Sequence, residues 1–400
     1  MEASSQLRPE SQSLVAHHTL RVLLDARKIE DGGIGVYIQN LITGILGQSG
    51  VRLALLMRPG HSTAYPWLSD VELVYDQANS YSLDELLRLA RRVDFSAFDL
   101  YHSPHYTLPL GIKIPSVVTI HDLIHVHHPE RYYYPFVAKS LLRSALRHAD
   151  KVLTVSQSTY KDLLRFCRNR PKILRKISVI PNAVDPFLLE QRIDRGRAKD
   201  FVEQRFKLRG PYFLSVLSNI KPHKGVADLL EAYRAFRAQI RDSKSSLPDY
   251  KLVLVGKGTE SMFEIERLLD QVGSIQGIYV CGKVSKEELS FLYGAAGALV
   301  VSSIAEGFCL PVIEAQALGI PVIARPVPAV LEILTEADMA AGDFSVSSLS
   351  ASLVEFAGNS GSKSSLDPDR LQQHLSRFEA AAIGRAVHQV YRGLLEEDRG

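Results

Sequence analysis

Cysteine is scarce in this chain. Its three thiols, Cys167, Cys281 and Cys309, are odd in number and far apart, which excludes a disulfide framework and a paired-cysteine metal site and leads us to expect reduced thiols in a cytoplasmic protein. Excess charge of one sign is missing as well. With 47 basic residues against 44 acidic ones the net charge is +3, too small for nucleic-acid binding by bulk charge. No apolar run approaches the roughly 18 residues of a membrane span, and the polar start MEASSQLRPESQS lacks the apolar centre of a secretion signal. We therefore expect a soluble chain that at most visits a membrane surface. Length, by contrast, is ample: 400 residues exceed the roughly 250–300 that one core organises, which argues for two domains.

Apolar runs alternate with amphipathic stretches along the whole sequence. After an expected flexible tail (1–18), LRVLLDAR reads as a strand and EDGGIGVYIQNLITGIL as a glycine-rich turn entering a helix. VRLALLM, FDLYHSP, PSVVTIHDL, KVLTVS and KISVIPNAVD continue the cycle, with helices expected over 132–148 and in SQSTYKDLLRF. The cycle restarts with YFLSVLSNIKPHKGVADLLEAYRAF and runs on through KLVLVGKG, IYVCGKV and ALVVSS. A polar stretch (357–369) and a single closing helix over 371–395 follow. Strands alternating with helices in this way give parallel, doubly wound sheets, hence an α/β architecture of two similar units facing across a cleft.

The stretch AEGFCLPVIEAQALGIPVIA places Glu306 and Glu314 around the start of a short helix. Pro311 suits a first helical turn and Gly319 followed by Pro321 an end, so the helix is expected over 311–318. Its loop lies at the carboxyl end of a strand, where ligands of such sheets bind. The helix dipole alone would explain Glu314; it does not explain an acid in the loop beside Gly307, Phe308 and Pro311. Lys224, in SNIKPHKG, occupies another strand-to-helix loop, where a mobile positive charge suits a diphosphate. Gly256 and Gly258 after LVLV could admit a nucleotide close to the backbone, and Gly33 in the first glycine-rich loop could touch a ligand held across the cleft. That loop reads GGIG and departs from the dinucleotide spacing, which weakens a dehydrogenase reading. His121 ends an apolar strand facing the inferred cleft. His125, His127 and His128 are too crowded for a zinc set and read as a surface loop.

Together these residues resemble the retaining glycosyltransferases of family 4, the sucrose-synthase and mannosyltransferase group. EGFCLPVIEAQALGIPVIA carries that family's two glutamates with their spacing, and the other segments follow in its order: DARKIEDGGIGVYIQNL, VVTIHDLIHVHHPE, VSQSTYKDL, SVIPNAVD, SNIKPHKGVADLLEAY, LVLVGKG and CGKVSKEELSFLYGAAGALVVSS. The resemblance implies the GT-B architecture, with an acceptor-side domain (19–186), a nucleotide-sugar domain (187–370) and a C-terminal helix (371–400) returning to the first. It implies that Glu306 meets the donor sugar, Glu314 the ribose hydroxyls, Lys224 the diphosphate, and His121 the sugar from the opposite domain. Gly33, Asn219, Gly256, Gly258, Val284 and Gly307, with backbone amides around Phe308, Cys309 and Leu310, would complete the donor site. Two departures stand out: Cys309 replaces a glycine, and Asn219 an arginine that would assist Lys224.

The implied reaction is hexose transfer from a GDP- or UDP-sugar, GDP-mannose first, to a glycan or polyprenyl-linked acceptor, without a metal or other cofactor. The pair Asp367 and Asp369 lies in a serine-rich stretch and reads as a helix start, not as a metal-binding acid pair. Seven basic residues against one acid over 161–176 suggest peripheral contact with anionic membrane at the inner face. The competing readings are a non-catalytic scaffold on the same fold, a nucleotide-sugar epimerase, and a dehydrogenase.

Overall fold

The computed structural model describes residues 19–61, 64–191, 193–242, 247–256, 265–270, 273, 275–359 and 367–397. Strands β1 (Leu20–Asp25), β2 (Val51–Met57), β3 (Glu72–Tyr75), β4 (Leu100–Ser103), β5 (Ser116–Ile120), β6 (Lys151–Thr154) and β7 (Ile177–Val179) form one sheet in the order β3-β2-β1-β4-β5-β6-β7. A second sheet contains β8 (Tyr212–Leu217), β9 (Lys251–Gly256), β10 (Ile278–Cys281), β11 (Ala298–Val301), β12 (Val322–Ala324) and β13 (Met339–Ala340), in the order β10-β9-β8-β11-β12-β13. The neighbouring strands run parallel. Helices cover both faces, so β4, β5 and β11 are buried along their whole length; β11 is an unbroken apolar run, whereas β4 and β5 also bury His102, Ser103, Ser116 and Thr119. Each sheet changes winding direction where β1 meets β4 and where β8 meets β11, and the crevices outside those carboxyl ends are the places such sheets bind ligands.

Capping follows the local sequence. Ser285 and Glu288 close a reciprocal capping box at the helix Lys286–Ala295, and Asp367 accepts from the Asp369 and Arg370 amides at the helix Pro368–Ser376. The closing segment is not the single helix expected over 371–395. Pro368–Ser376 stays with the second lobe, where His374 Nε2 meets Gln316 Oε1 at 3.0 Å. The chain then breaks at 377–379, because the Phe378 carbonyl turns aside to accept from the Val184 amide (2.8 Å). Ala380–Glu397 begins only after this break and packs on the helix Gly32–Leu46 of the first lobe, burying Ile383, Val387 and Tyr391 in the same core as Ile38, Leu41 and Ile42. The helix expected over 132–148 likewise starts later, at Tyr134.

Two glycines set that helix crossing. A Cβ on Gly384 would lie 2.0 Å from the Gly44 carbonyl oxygen, and one on Gly44 would lie 2.2 Å from that of Ala380. The helices therefore touch through backbone. Gly384→Ala should force them apart and destabilise the protein by about 1–3 kcal/mol, the usual cost of overpacking, visible as a lowered melting temperature. An unchanged melt would show that the crossing tolerates a methyl group.

Candidate functional site

Past β11 the chain turns through 302–309 and enters the helix Leu310–Ala317, one residue earlier than the sequence suggested. Cys309 causes the shift: at φ 77° it adopts the left-handed conformation and closes the helix start itself. For a non-glycine residue that conformation costs about 1–2 kcal/mol, strain of the kind that collects at ligand sites. Burial pushes the Cys309 thiol pKa well up, so it is no thiolate nucleophile.

The turn is fastened to the loop after β8. Ser302 Oγ donates to the Lys224 carbonyl (2.8 Å), and the Ile304 amide to the His223 carbonyl (2.8 Å). Gly225 makes this approach possible, since a Cβ there would lie 2.3 Å from the Ser302 carbonyl oxygen. Arg325, wholly buried just past β12, donates to the same carbonyl (3.1 Å) and to Asp228 (2.7 Å). Held in this way, Lys224 Nζ meets Glu306 Oε1 at 2.8 Å, with side chains only 17% and 10% exposed. Burial works against the charge on Lys224, but the Glu306 carboxylate outweighs it and holds the ammonium above its ordinary pKa. Ser303 Oγ gives Glu306 Oε1 a further hydrogen bond (2.6 Å).

Glu314 lies one turn into the helix, and its Oε2 accepts from the Tyr293 hydroxyl (2.8 Å). Burial raises its carboxyl to about 7. The first lobe reaches the same place through the end of β5, where a Cβ on Gly307 would lie 2.2 Å from the His121 carbonyl oxygen. Glycine is therefore needed at 307 to seat one lobe on the other. His121 Nε2–H donates to the Pro104 carbonyl (2.9 Å) and burial lowers the ring's pKa, so Nδ1 is an acceptor on a neutral imidazole. Gly33 lies in the first turn of the helix Gly32–Leu46 with nothing within 4 Å of a Cβ built on it, while Gly32 faces Ser218 across the junction.

The remaining candidates are dispersed in role. Phe308, Cys309 and Leu310 turn their side chains into the core, Phe308 against Phe378 at 5.8 Å, so only their backbone can serve a ligand. Asn219 Oδ1 accepts from the Lys221 amide (3.2 Å) and shapes the turn. Lys221 does not assist Lys224, because it pairs with Glu130 of the first lobe at 2.7 Å. Gly256 closes β9 beside Leu217, Val284 packs half-buried on the core, and Gly258 lies outside the described residues. A cavity of about 490 Å³ between Leu108, Ser116, Asp150, Lys176 and Leu394 sits at the opposite, amino-terminal edge of the first sheet and contains none of these residues.

One cluster gave no sequence signal. At the carboxyl end of β1, Asp25, Glu85 and His105 bring ligand atoms within 4.8 Å of one another, a spacing that suits a cation. The cation is internal: the Arg27 guanidinium lies 2.5 Å from both Asp25 Oδ2 and Glu85 Oε1. This buried cluster fixes the turn that leads to Gly32 and Gly33.

Comparison with known proteins agrees with the two-sheet architecture. Residues 197–356 match the family model described as glycosyl transferases group 1, and residues 31–187 match glycosyltransferase family 4. The chain is similar to the O-antigen chain mannosyltransferase RfbU of Salmonella typhimurium, 29% identical over 62% of each chain. It is also similar to O-antigen chain mannosyltransferase B of Escherichia coli, 29% identical over 64% of each. The aligned part thus spans less than two thirds of these relatives. Among solved structures, a Rickettsia africae glycosyltransferase superposes with a TM-score of 0.71 at 17% identity, over 94% of this chain and 99% of that one. Anabaena HepE in complex with UDP and glucose superposes with 0.72 at 16% identity, over 94% and 100%.

The raised carboxyl of Glu314 has a measurable consequence. Between its ordinary value of 4.5 and about 7 the folded state binds a proton that the unfolded state has released, so this group's contribution to stability falls as pH rises through that window. Glu314→Gln should therefore gain in melting temperature over the wild type as pH is raised through the window. A difference that stays constant with pH would show the carboxylate ionised throughout.

Proposed function

We propose, from the premise that the chain belongs to glycosyltransferase family 4 and has the GT-B fold, that it transfers a hexose from a nucleotide sugar to a hydroxyl of a glycan or lipid-linked acceptor. The observation that carries this reading is the Lys224 to Glu306 contact of 2.8 Å beside the junction of the two lobes. Cleavage of a sugar diphosphate separates charge: the electron pair of the bond to the sugar carbon leaves with the phosphate oxygen, and the carbon becomes cation-like. An ammonium and a carboxylate held together but belonging to different loops suit the two products of that separation. Without donor they neutralise each other; a bound diphosphate draws the ammonium away and leaves the carboxylate facing the sugar.

The other residues follow from their placement. Glu314 exchanges its Tyr293 partner for ribose hydroxyls, and the amides at the start of the helix Leu310–Ala317 meet the diphosphate. His121 presents a neutral ring from the opposite lobe, and the open space at Gly33 admits phosphate or acceptor. Lys224 and these amides do the work that a divalent cation does in other nucleotide-sugar enzymes, so the transfer is proposed as metal-independent. Retention at the sugar carbon rests on the family resemblance. Mannose from GDP-mannose is the first donor because the two O-antigen relatives are named as mannosyltransferases. A UDP-sugar is the second, after the Anabaena neighbour solved with UDP-glucose.

The acceptor side includes a membrane contact. Of the seven basic residues over 161–176, Lys161, Arg165, Arg168, Arg170, Lys172 and Arg175 are exposed. Each contributes about 1 kcal/mol near an anionic leaflet, whereas no described helix is long and apolar enough to cross one.

Glu306→Gln should lower transfer by about 10²–10³-fold, the usual loss when an electrostatic group at a developing charge is removed, while calorimetric affinity for the nucleotide sugar persists. Full transfer by that variant would refute the role given to Glu306. Sedimentation with phosphatidylglycerol vesicles should show binding at low salt that fades within the screening range of about 0.15 M ionic strength. Absence of binding at low salt would remove the membrane contact.

A further inference from the structure

His223 is a buried polar side chain that the donor chemistry described above leaves unused. The residue is 7% exposed, and its Nδ1 has no hydrogen-bond partner among the described residues. Buried polar atoms are nearly always paired, so an orphaned one points to a partner still to come. The loop that carries it is fixed, because the Ile304 amide donates to the His223 carbonyl (2.8 Å) and ties it to the turn past β11. Charges from three elements act on the ring: Lys224 and Lys221 on its own loop, Glu306 past β11, and Asp122 past β5 in the first lobe. Burial, and after it the Lys224 ammonium, prevails over the two carboxylates and keeps the ring neutral, its pKa lowered to about 4.

These surroundings are short of positive charge. Lys221 is paired with Glu130 at 2.7 Å and Lys224 with Glu306 at 2.8 Å, while Asp122 adds a carboxylate, so two ammonium groups are set against three acids. Asn219 supplies no charge, its Oδ1 being taken by the Lys221 amide. A nucleoside diphosphate brings several more negative charges to this place. We propose that His223 takes up a proton when a nucleoside diphosphate binds, and that its imidazolium then donates through Nδ1 to a phosphate oxygen beside the Lys224 ammonium. The proposal rests on the nucleotide-sugar reading and adds one residue and one proton to it. In the neutral ring one nitrogen carries hydrogen and the other a lone pair; the proton comes from solvent, adds to that lone pair, and departs when the nucleotide leaves. Negative charge brought close to a histidine favours its charged form, which offsets the effect of burial and returns the ring toward titration near neutral pH. The bound state therefore holds a proton that the free state lacks. Affinity rises as pH falls through the window between the free and bound pKa values, by up to about tenfold per pH unit. A histidine that only fills space in the loop produces no such coupling.

The test is calorimetric titration of the full chain with GDP, and with UDP in parallel, in buffers of different ionisation enthalpy, which reads the protons taken up on binding. His223→Asn keeps a polar amide near the position of Nδ1 and cannot be protonated there, and His223→Gln gives a second, longer amide for the same comparison. The phosphates and Glu314 exchange protons of their own, so the quantity read is the difference between wild type and variant. At about pH 6 the wild type should take up about half to one proton more than either variant, and its affinity relative to theirs should fall by about tenfold from about pH 5.5 to about pH 7.5. The His223 ring signal in proton NMR, identified by its loss in the variants, should shift to its charged position on saturation with nucleotide at about pH 6. Equal proton uptake in wild type and variants would overturn the proposal, as would a ring signal that stays at its neutral position in the saturated protein. Binding without the extra proton sinks the proposal alone; failure of both GDP and UDP to bind sinks the nucleotide-sugar reading and the proposal with it.

Discussion

The Lys224 ammonium and the Glu306 carboxylate meet where solvent is largely excluded, and each is tolerated there because of the other. Removing one partner of such a pair leaves an uncompensated charge, typically a loss of about 3–5 kcal/mol for a fully buried pair and less for one that water still reaches. The neighbouring loops are arranged around this constraint. Ser302 and Ser303 spend their hydroxyls on Lys224 and Glu306, Gly225 gives up a side chain to let the loops touch, and Arg325 is buried to hold the Ser302 carbonyl. The pair is thus neutral as a unit, an acid and a base from two different loops held in contact.

The lobes come together around the same point. Gly307 seats on the His121 carbonyl, Glu130 pairs with Lys221, and Lys286 pairs with Asp185 at 2.6 Å. Glu332 accepts from the Gln157 and Ser158 amides at 2.8 and 2.5 Å, where the exposed donors of a helix start favour an anion. Several of these contacts are polar and at least partly exposed, so each contributes little to holding the lobes together.

The sheets were legible in the sequence because their central strands are buried on both faces and so are rich in apolar residues, although His102, Ser103 and Thr119 interrupt β4 and β5. The edges were not. β3 exposes Glu72 and Tyr75, and β13 is two residues long, so neither leaves a run to notice. The meeting of Lys224 with Glu306 could be anticipated, since β8 and β11 are neighbours and both side chains follow their carboxyl ends. The Arg27 cluster could not, because Glu85 lies 58 residues away with no periodicity to connect them. The helix break at 377–379 was invisible for a similar reason, as it depends on a carbonyl drawn toward Val184.

That bond between Val184 and Phe378 joins the two segments on which the chain passes from lobe to lobe. Two crossings laced side by side gather the covalent links between the lobes at one place, where a backbone hydrogen bond holds them together. The lobes are therefore tethered at a single seam, like the leaf and frame of a door along one edge.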